Sequence, residues 1–472
     1  MILSLSWRNI WRNKTRSLIV VATLAVGLLG GVMFMGLING WVEQRMHDSI
    51  HNEIAHIQIH NPQYLLNEET QHYISDYPSI ITALDTMKSV IGYTGRIKVF
   101  AMAQSDRATS GIVVMGINPT EEVTVSEIST KLVAGEFLEN NHRVPSIVVG
   151  STTAESLKLI NYNITSEKLD SIDESKIPVE VKDSLKLLIG QRFRSKAAFQ
   201  KELKRILADN YDSHVDYILK RFAEYRLNSS VILTLQTPEG ELHNQMFKVR
   251  GVYKTTNSAF DGRFAYVERG ILASTAGLLE NQVHEVALLC TGLDEGKTAA
   301  ASLAPNFKSL SVRSWEQVSP EIAMYAEMGN FMGMIYIVII LFALAFGIVN
   351  TMMMSVLERI RELGMLMAIG MNKIRVFTMI MVESILLSLT GGIVGMAISA
   401  VILSILSKTG VDFGMWAEGF EALGYSSMVY PEITVGNYVM ITVLVIITGM
   451  VASLWPARRA LKLKPVEALR HE

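Results

Sequence analysis

SLIVVATLAVGLLGGVMFMGLI, residues Ser17–Ile38, is the stretch whose reading decides the fold. It carries no charge over a length that crosses a bilayer core of about 30 Å as a helix rising about 1.5 Å per residue. Three more apolar stretches follow together near the other end: Phe331–Met354, Val376–Leu406 and Gly436–Leu454. Between the first and the second lies a long polar segment, 39–330. The layout predicts an α-helical membrane protein with four transmembrane helices, arranged one plus three. A large external α+β domain is inserted between helices 1 and 2.

Composition agrees with a chain that is part membrane and part aqueous. Charged residues make up 19% and mean hydropathy is +0.28. The net charge of −2 says nothing about partners, because the charge is unevenly placed; no nucleic-acid partner is expected. The single cysteine, Cys290, has no internal disulfide partner and sits in an apolar run. The first apolar stretch exceeds the 7–15 residues of a signal-peptide core, and no small-residue cleavage pattern follows it. It reads as an uncleaved span.

Lysine and arginine placement sets the orientation. Arg8, Arg12, Lys14 and Arg16 precede the first span. Arg359, Arg361, Lys373 and Arg375 lie between the second and third, and Arg458, Arg459, Lys462, Lys464 and Arg470 follow the fourth. Both termini and the 355–375 loop are therefore expected on the cytoplasmic side, with the large domain outside. The boundaries read from this pattern are an amphipathic helix 1–16, a span 17–42, and an external domain 43–328 with a helical insertion at 160–228. A span 329–355, a cytoplasmic helix and turn 356–375 and a span 376–406 come next. An outer loop 407–435, a span 436–456 and a cytoplasmic tail 457–472 complete the chain.

Within the external domain, Ile54–His60, Gly95–Ala101, Gly111–Ile117, Ser146–Val149, Val231–Gln236, Phe247–Val252 and Glu285–Cys290 read as strands. Pro78–Val90, Glu268–Leu279 and Glu295–Leu303 read as helices. The spans carry small residues at four-residue spacing. Gly27 and Gly31, Gly347, and Gly391 and Gly395 are the helix-packing candidates, within one subunit or between subunits.

SVLERIRELGMLMAIGMNKIR, Ser355–Arg375, is the sharpest local signal. A charged helix end meets a short amphipathic helix, and Gly370-Met371-Asn372 turns into the third span. At this point the chain resembles the permease subunits of the MacB/FtsX/LolC–LolE superfamily of ABC transporters. The pattern E-R-x-R-E-x-G-x-L-x-A-x-G is met at Glu358, Arg359, Arg361, Glu362, Gly364, Leu366, Ala368 and Gly370. The start Trp7-Arg8-Asn9-Ile10-Trp11-Arg12-Asn13-Lys14, the segment His56–His60 and the ending Pro456–Arg470 also match.

The resemblance implies a MacB-like periplasmic core and a half-transporter in the cell inner membrane. It pairs with a second permease subunit, identical or homologous. Two copies of a separate ABC ATPase dock on 356–370 and bind the ATP and magnesium, so no cofactor is expected in this chain. Lipoprotein extraction toward a periplasmic carrier is the leading expectation. A MacB-like efflux component or an FtsX-like regulator of cell-wall hydrolases are the alternatives. The insertion 160–228 departs from the family pattern.

Two polar residues fall inside spans. Glu383 reads as a paired structural carboxylate, and Asn350 as an interhelical hydrogen-bonding group. His47 and His51 share a helical face without an accompanying carboxylate or cysteine cluster, and His56 and His60 are expected to point outward on a strand. No metal site is expected. Gly292-Leu-Asp-Glu-Gly296-Lys297-Thr298 falls one residue short of a phosphate-binding loop, and its glycines read as turn residues. No nucleophile–base set is present, so catalysis within the chain is not expected.

Overall fold

A computed structural model describes residues 2–461 apart from 86, 141–143 and 173–176. The Pro465–Arg470 part of the ending and most of the tail 457–472 lie outside the described residues. The chain forms two compact units. The first comprises Met1–Met46, Ile322–Ala417 and Ser426–Glu472, and the second His47–Glu321 with Glu418–Tyr425.

The first unit is helical: α1 (Ile2–Ile10), α2 (Lys14–Asp48), α3 (Pro320–Glu358), α4 (Ile360–Ala368), α5 (Lys373–Thr409) and α6 (Val435–Leu461). The helices containing α2, α3, α5 and α6 are long and apolar enough to cross a membrane. The single helix expected over 1–16 is broken. It stops at Ile10, and α2 starts only at Lys14, after a turn closed by Arg12 N donating to Asn9 O at 3.2 Å. The break lets Ser6 donate to the Met379 carbonyl at 3.2 Å and buries Ile10, while Leu3 and Trp7 remain exposed.

All four long helices meet in one apolar cluster of Leu28, Val32 and Met35 with Ile337, Leu341, Leu403, Ile441 and Val445. Small residues set the approach. A methyl group on Gly395 would lie 2.9 Å from both Cα and O of Ala25, and one on Gly391 2.7 Å from Leu24 Cβ. On the other side of α2, Gly27 meets Leu344 at 2.9 Å and Gly31 meets Ile337 Cδ1 at 2.8 Å in the same sense. Gly347 differs: a methyl group there would have no atom of the described residues within 4 Å.

The second unit is built on a ten-stranded sheet. Its strands are β1 (Ile57–His60), β2 (Val90–Gln104), β3 (Thr109–Ile117), β4 (Leu132–Gly135), β5 (Ser146–Gly150), β9 (Ser230–Gln236), β10 (Leu242–Tyr253), β11 (Phe264–Glu268), β12 (Glu285–Cys290) and β13 (Ser311–Ser314). The order is β13-β1-β12-β2-β3-β11-β5-β10-β4, with β9 pairing β10 and β2. β2 alternates from residue 100 on: Phe100, Met102 and Gln104 face solvent, while Ala101 and Ala103 enter the core. Helices Arg269–Thr275 and Ser151–Ser156 carry Leu272, Ala273 and Ala154 into the same core.

The insertion is more than a helical hairpin. Its strands β6 (Ile160–Asn163), β7 (Arg192–Phe193) and β8 (Ala223–Tyr225) make a separate sheet in the order β7-β6-β8. Helices Val179–Lys186, Lys196–Leu207 and Tyr211–Phe222 close a core of Leu185, Phe199, Leu203, Ile218 and Phe222 over it. The apolar stripe of the helices needed a surface to pack on, and the short strands supply it.

Candidate functional site

The segment joining α3 to α5 is a helix break, a short helix, a turn and a cap. Arg359, at φ −106°, leaves the helical region and separates α3 from α4. Leu363 and Gly364 turn inward, and Leu363 joins a core with Ile10, Val356 and Val376. Gly370 at φ +100° makes the return turn, a conformation that side-chain-bearing residues seldom adopt. Asn372 then caps α5, its side-chain oxygen accepting from Ile374 N at 3.0 Å.

Charged side chains stitch this segment to the rest of the unit. Arg16 pairs with Glu358 through both guanidinium nitrogens, at 2.6 and 2.5 Å. Arg12 donates to Glu362 at 2.9 Å, and Arg359 Nε donates to the same carboxylate at 3.3 Å. Arg359 Nη1 reaches the buried Glu383 at 3.1 Å. The chain Arg12–Glu362–Arg359–Glu383 therefore links the turn before α2, α4 and α5.

Of the sequence-derived residues, Glu358, Arg359, Glu362 and Glu383 come together in this cluster. Gly364 is buried, Leu366 is half-buried, and Arg361, Ala368 and Gly370 are exposed. Met365 and Ile369, 51% and 78% exposed, share the outward face of α4 with Arg361. They fell between the motif positions, and only their helical spacing marked them. Arg12 and Arg16 read in the sequence as orientation charges, and their pairing was invisible there.

Asn350 departs from expectation. It is exposed on α3, and no hydrogen bond of its side chain occurs among the described residues. It lies on a stripe with Ala343, Phe346, Gly347 and Met354, all turned away from the other helices of the unit.

His56 and His60 also differ from the sequence reading: both are buried, 5% and 3% exposed. β12 and β13 pair with the two edges of β1, while Gly296 of helix Leu293–Leu303 packs on His56 and Tyr64 stacks on His60. His56 Nδ1 accepts from Cys290 N at 3.1 Å, and His60 Nδ1 meets the His284 carbonyl at 2.9 Å. His47 and His51 do have a carboxylate beside them, Glu127, brought from a distant loop. Gly292 is the N-cap of helix Leu293–Leu303, and Gly296 lies inside that helix, where a methyl group would sit 3.1 Å from His56 Cβ.

Comparison with known proteins places the helical half. Residues 334–465 match the family described as FtsX-like permease C-terminal. The chain is 37% identical over 126 residues to the macrolide export ATP-binding/permease protein MacB of Chlorobium luteolum, covering 27% of this chain and 16% of that protein. It is 28% identical over 249 residues to an uncharacterized ABC transporter permease, YknZ, of Bacillus subtilis, covering 50% of this chain and 58% of that one. The matched stretches thus span about a sixth of the MacB relative and little more than half of YknZ. The extracellular domain of YknZ from Gram-positive bacteria aligns with a TM-score of 0.29 and 15% identity, over 55% of this chain and 99% of that domain. Residues 334–465, which hold the later part of α3, the segment Ser355–Arg375, α5 and α6, thus resemble an FtsX-like permease domain, and MacB and YknZ ABC-transporter permeases are among the proteins this chain is similar to.

Proposed function

We propose that the chain is the permease subunit of an ATP-driven ABC transporter that works by mechanotransmission. One observation carries the reading. α4 and its C-cap present Met365 and Ile369 outward, while Leu363 and the Arg12–Glu362–Arg359–Glu383 pairs anchor its other side to the turn before α2 and to α5. A helix exposing apolar side chains and held by rigid ties is suited to receive a push from a docked partner. The partner is a separate ABC ATPase in two copies, which binds ATP and magnesium. The membrane is the cell inner membrane, with both termini cytoplasmic and the α+β domain periplasmic. The exposed stripe of α3 with Gly347 and Asn350 faces a second permease subunit, because a polar amide is costly against lipid and the small residues allow close approach.

The cargo proposed first is a lipoprotein, extracted from the inner membrane and passed to a periplasmic carrier. An apolar sheet face in the α+β domain supports it: Phe100, Met102, Ile232 and Met246 are 66%, 49%, 40% and 54% exposed and adjacent across β2, β9 and β10. Such a face fits an acylated or apolar passenger. A MacB-like export role is the second reading. It is favoured by the tight contact of α2 and α3 at Gly27–Leu344 and Gly31–Ile337, where a lipid-entry reading asks for an opening.

Purification of the intact complex in mild detergent, with mass spectrometry of what is retained, tests this. Acylated lipoproteins bound with an ATPase support extraction. An adaptor and an exit-duct protein without lipoproteins support export.

A further inference from the structure

His47 stands in the last turn of α2, four residues before His51 in the π-helical turn Ser49–Ile54. A π-turn is an uncommon irregularity that concentrates at functional positions. The two imidazole rings stack at 4.0 Å between centroids, 18° from parallel. His51 Nδ1–H donates to the His47 carbonyl at 3.0 Å. That bond fixes the ring and leaves Nε2 with its lone pair free to ligate, the arrangement metal-binding histidines usually show.

The third group arrives through the backbone. Glu127 N donates to the His51 carbonyl at 2.8 Å, which anchors a loop some eighty positions away in sequence beside the two rings. Glu127 Oε1 lies 3.9 Å from His47 Nε2, and its other oxygen lies 3.8 Å from Lys131 Nζ. One ligand atom from each of His47, His51 and Glu127 falls within 4.8 Å of the other two.

We propose that His47, His51 and Glu127 form a binding site for one divalent transition-metal ion of the zinc class. Two imidazole nitrogens and one carboxylate oxygen suit zinc, cobalt or nickel rather than calcium or magnesium, which prefer oxygen ligands throughout. Ligand distances of about 2.0–2.2 Å require the three side chains to close by roughly an ångström on the ion. The exposure of His47 and Glu127, 51% and 38%, leaves them room to do so. Three protein ligands leave a fourth position for water or a donor from elsewhere. His56 does not join them, because it is buried and its Nδ1 is taken by Cys290 N. Bound metal would cross-link the turn after α2 to the loop that holds Glu127. Nothing in the transporter reading calls for such an ion.

The test uses the full-length chain without a histidine tag, purified in detergent and stripped with a chelator. Cobalt(II) is titrated while its visible absorption is recorded, and zinc is titrated against a chromogenic indicator. The expected result is saturation near one ion per chain, weakened on the order of tenfold or more in His47→Ala and in Glu127→Gln. His243→Ala, at an exposed histidine beside Glu241 elsewhere in the domain, is expected to bind as the parent does. Elution volume and helicity are recorded for every variant, so that a loss of binding is separated from a loss of fold. Failure of the parent to bind zinc or cobalt stoichiometrically overturns the proposal and leaves an ordinary His47–Glu127 ion pair. Undiminished binding in a folded His47→Ala/His51→Ala double variant overturns it as well.

Discussion

Arg359 gives one N–H group to both carboxylate oxygens of Glu383, at 3.1 and 3.2 Å, with the two side chains only 14% and 6% exposed. Removing one member of such a pair strands the other charge in a poorly solvated place, at a cost of about 3–5 kcal/mol. Glu383→Leu or Arg359→Leu alone is therefore expected to lower the thermal midpoint strongly in detergent. The double replacement recovers most of the loss. If the double variant melts below both singles, the pair is not what holds α4 to α5.

Arg12 and Glu362 form the contrasting case. Their side chains are 59% and 42% exposed, and a pair of that kind contributes about 0–1 kcal/mol. Arg12→Ala is expected to shift the midpoint by little. Coupling is another matter, because Glu362 bridges Arg12 and Arg359. Transport-linked ATP hydrolysis is expected to fall more in Arg12→Ala than stability does, and equal small effects on both would remove Arg12 from the transmission path.

Gly395 and Gly347 separate packing within a subunit from packing between subunits. A side chain at Gly395 strikes the backbone of Ala25, which cannot move aside, so Gly395→Leu is expected to destabilise the monomer. At Gly347 an added Cβ meets no described atom within 4 Å, so Gly347→Leu is expected to leave the melting of the monomer intact. It is expected to weaken association of permease subunits, read by cross-linking across α3. Full cross-linking in Gly347→Leu would mean that this face meets lipid.

His284 gives the α+β domain a pH dependence. Burial lowers its pKa from the usual 6.5 to about 4, and its bonds suit the neutral ring: Nδ1 accepts from Lys98 N at 3.1 Å and Nε2–H donates to Thr70 O at 2.9 Å. The unfolded chain takes up this proton first. The stabilisation is therefore complete above about pH 6.5 and drains as pH falls toward about 4. Asp261 runs the other way. Burial raises its pKa to about 6, so its penalty grows as pH rises from about 4 to about 6. His284→Gln is expected to make acid destabilisation shallower by about one proton between pH 6.5 and 4.5, measured as thermal midpoint against pH. An unchanged slope would contradict the neutral assignment.

What could be read from the sequence is what repeats locally. Four charge-poor runs announced α2, α3, α5 and α6, and strict local composition placed β12 at Glu285–Cys290. What escaped was set by distant chain. His56 and His60 alternate like an exposed strand, and they are buried because helix Leu293–Leu303 packs on His56 at Gly296 and Tyr64 stacks on His60. Glu127 reaches His51 through a backbone hydrogen bond that no spacing rule foretells. The pairing of Arg12 and Arg16 with Glu362 and Glu358 spans more than three hundred positions, and each arginine alone carried only an orientation signal. The motif residues of α4 were legible, yet the large apolar side chains exposed there, Met365 and Ile369, were ones between them.

The most direct test of the central claim is retention of an ABC ATPase on the full-length chain in mild detergent, compared with a Met365→Asp/Ile369→Asp variant. The permease account predicts that an ATPase subunit is retained with the parent and with Gly347→Leu, and is lost when α4 carries two carboxylates. Absence of any ATPase on the parent, or equal retention on the doubly substituted α4, would contradict it.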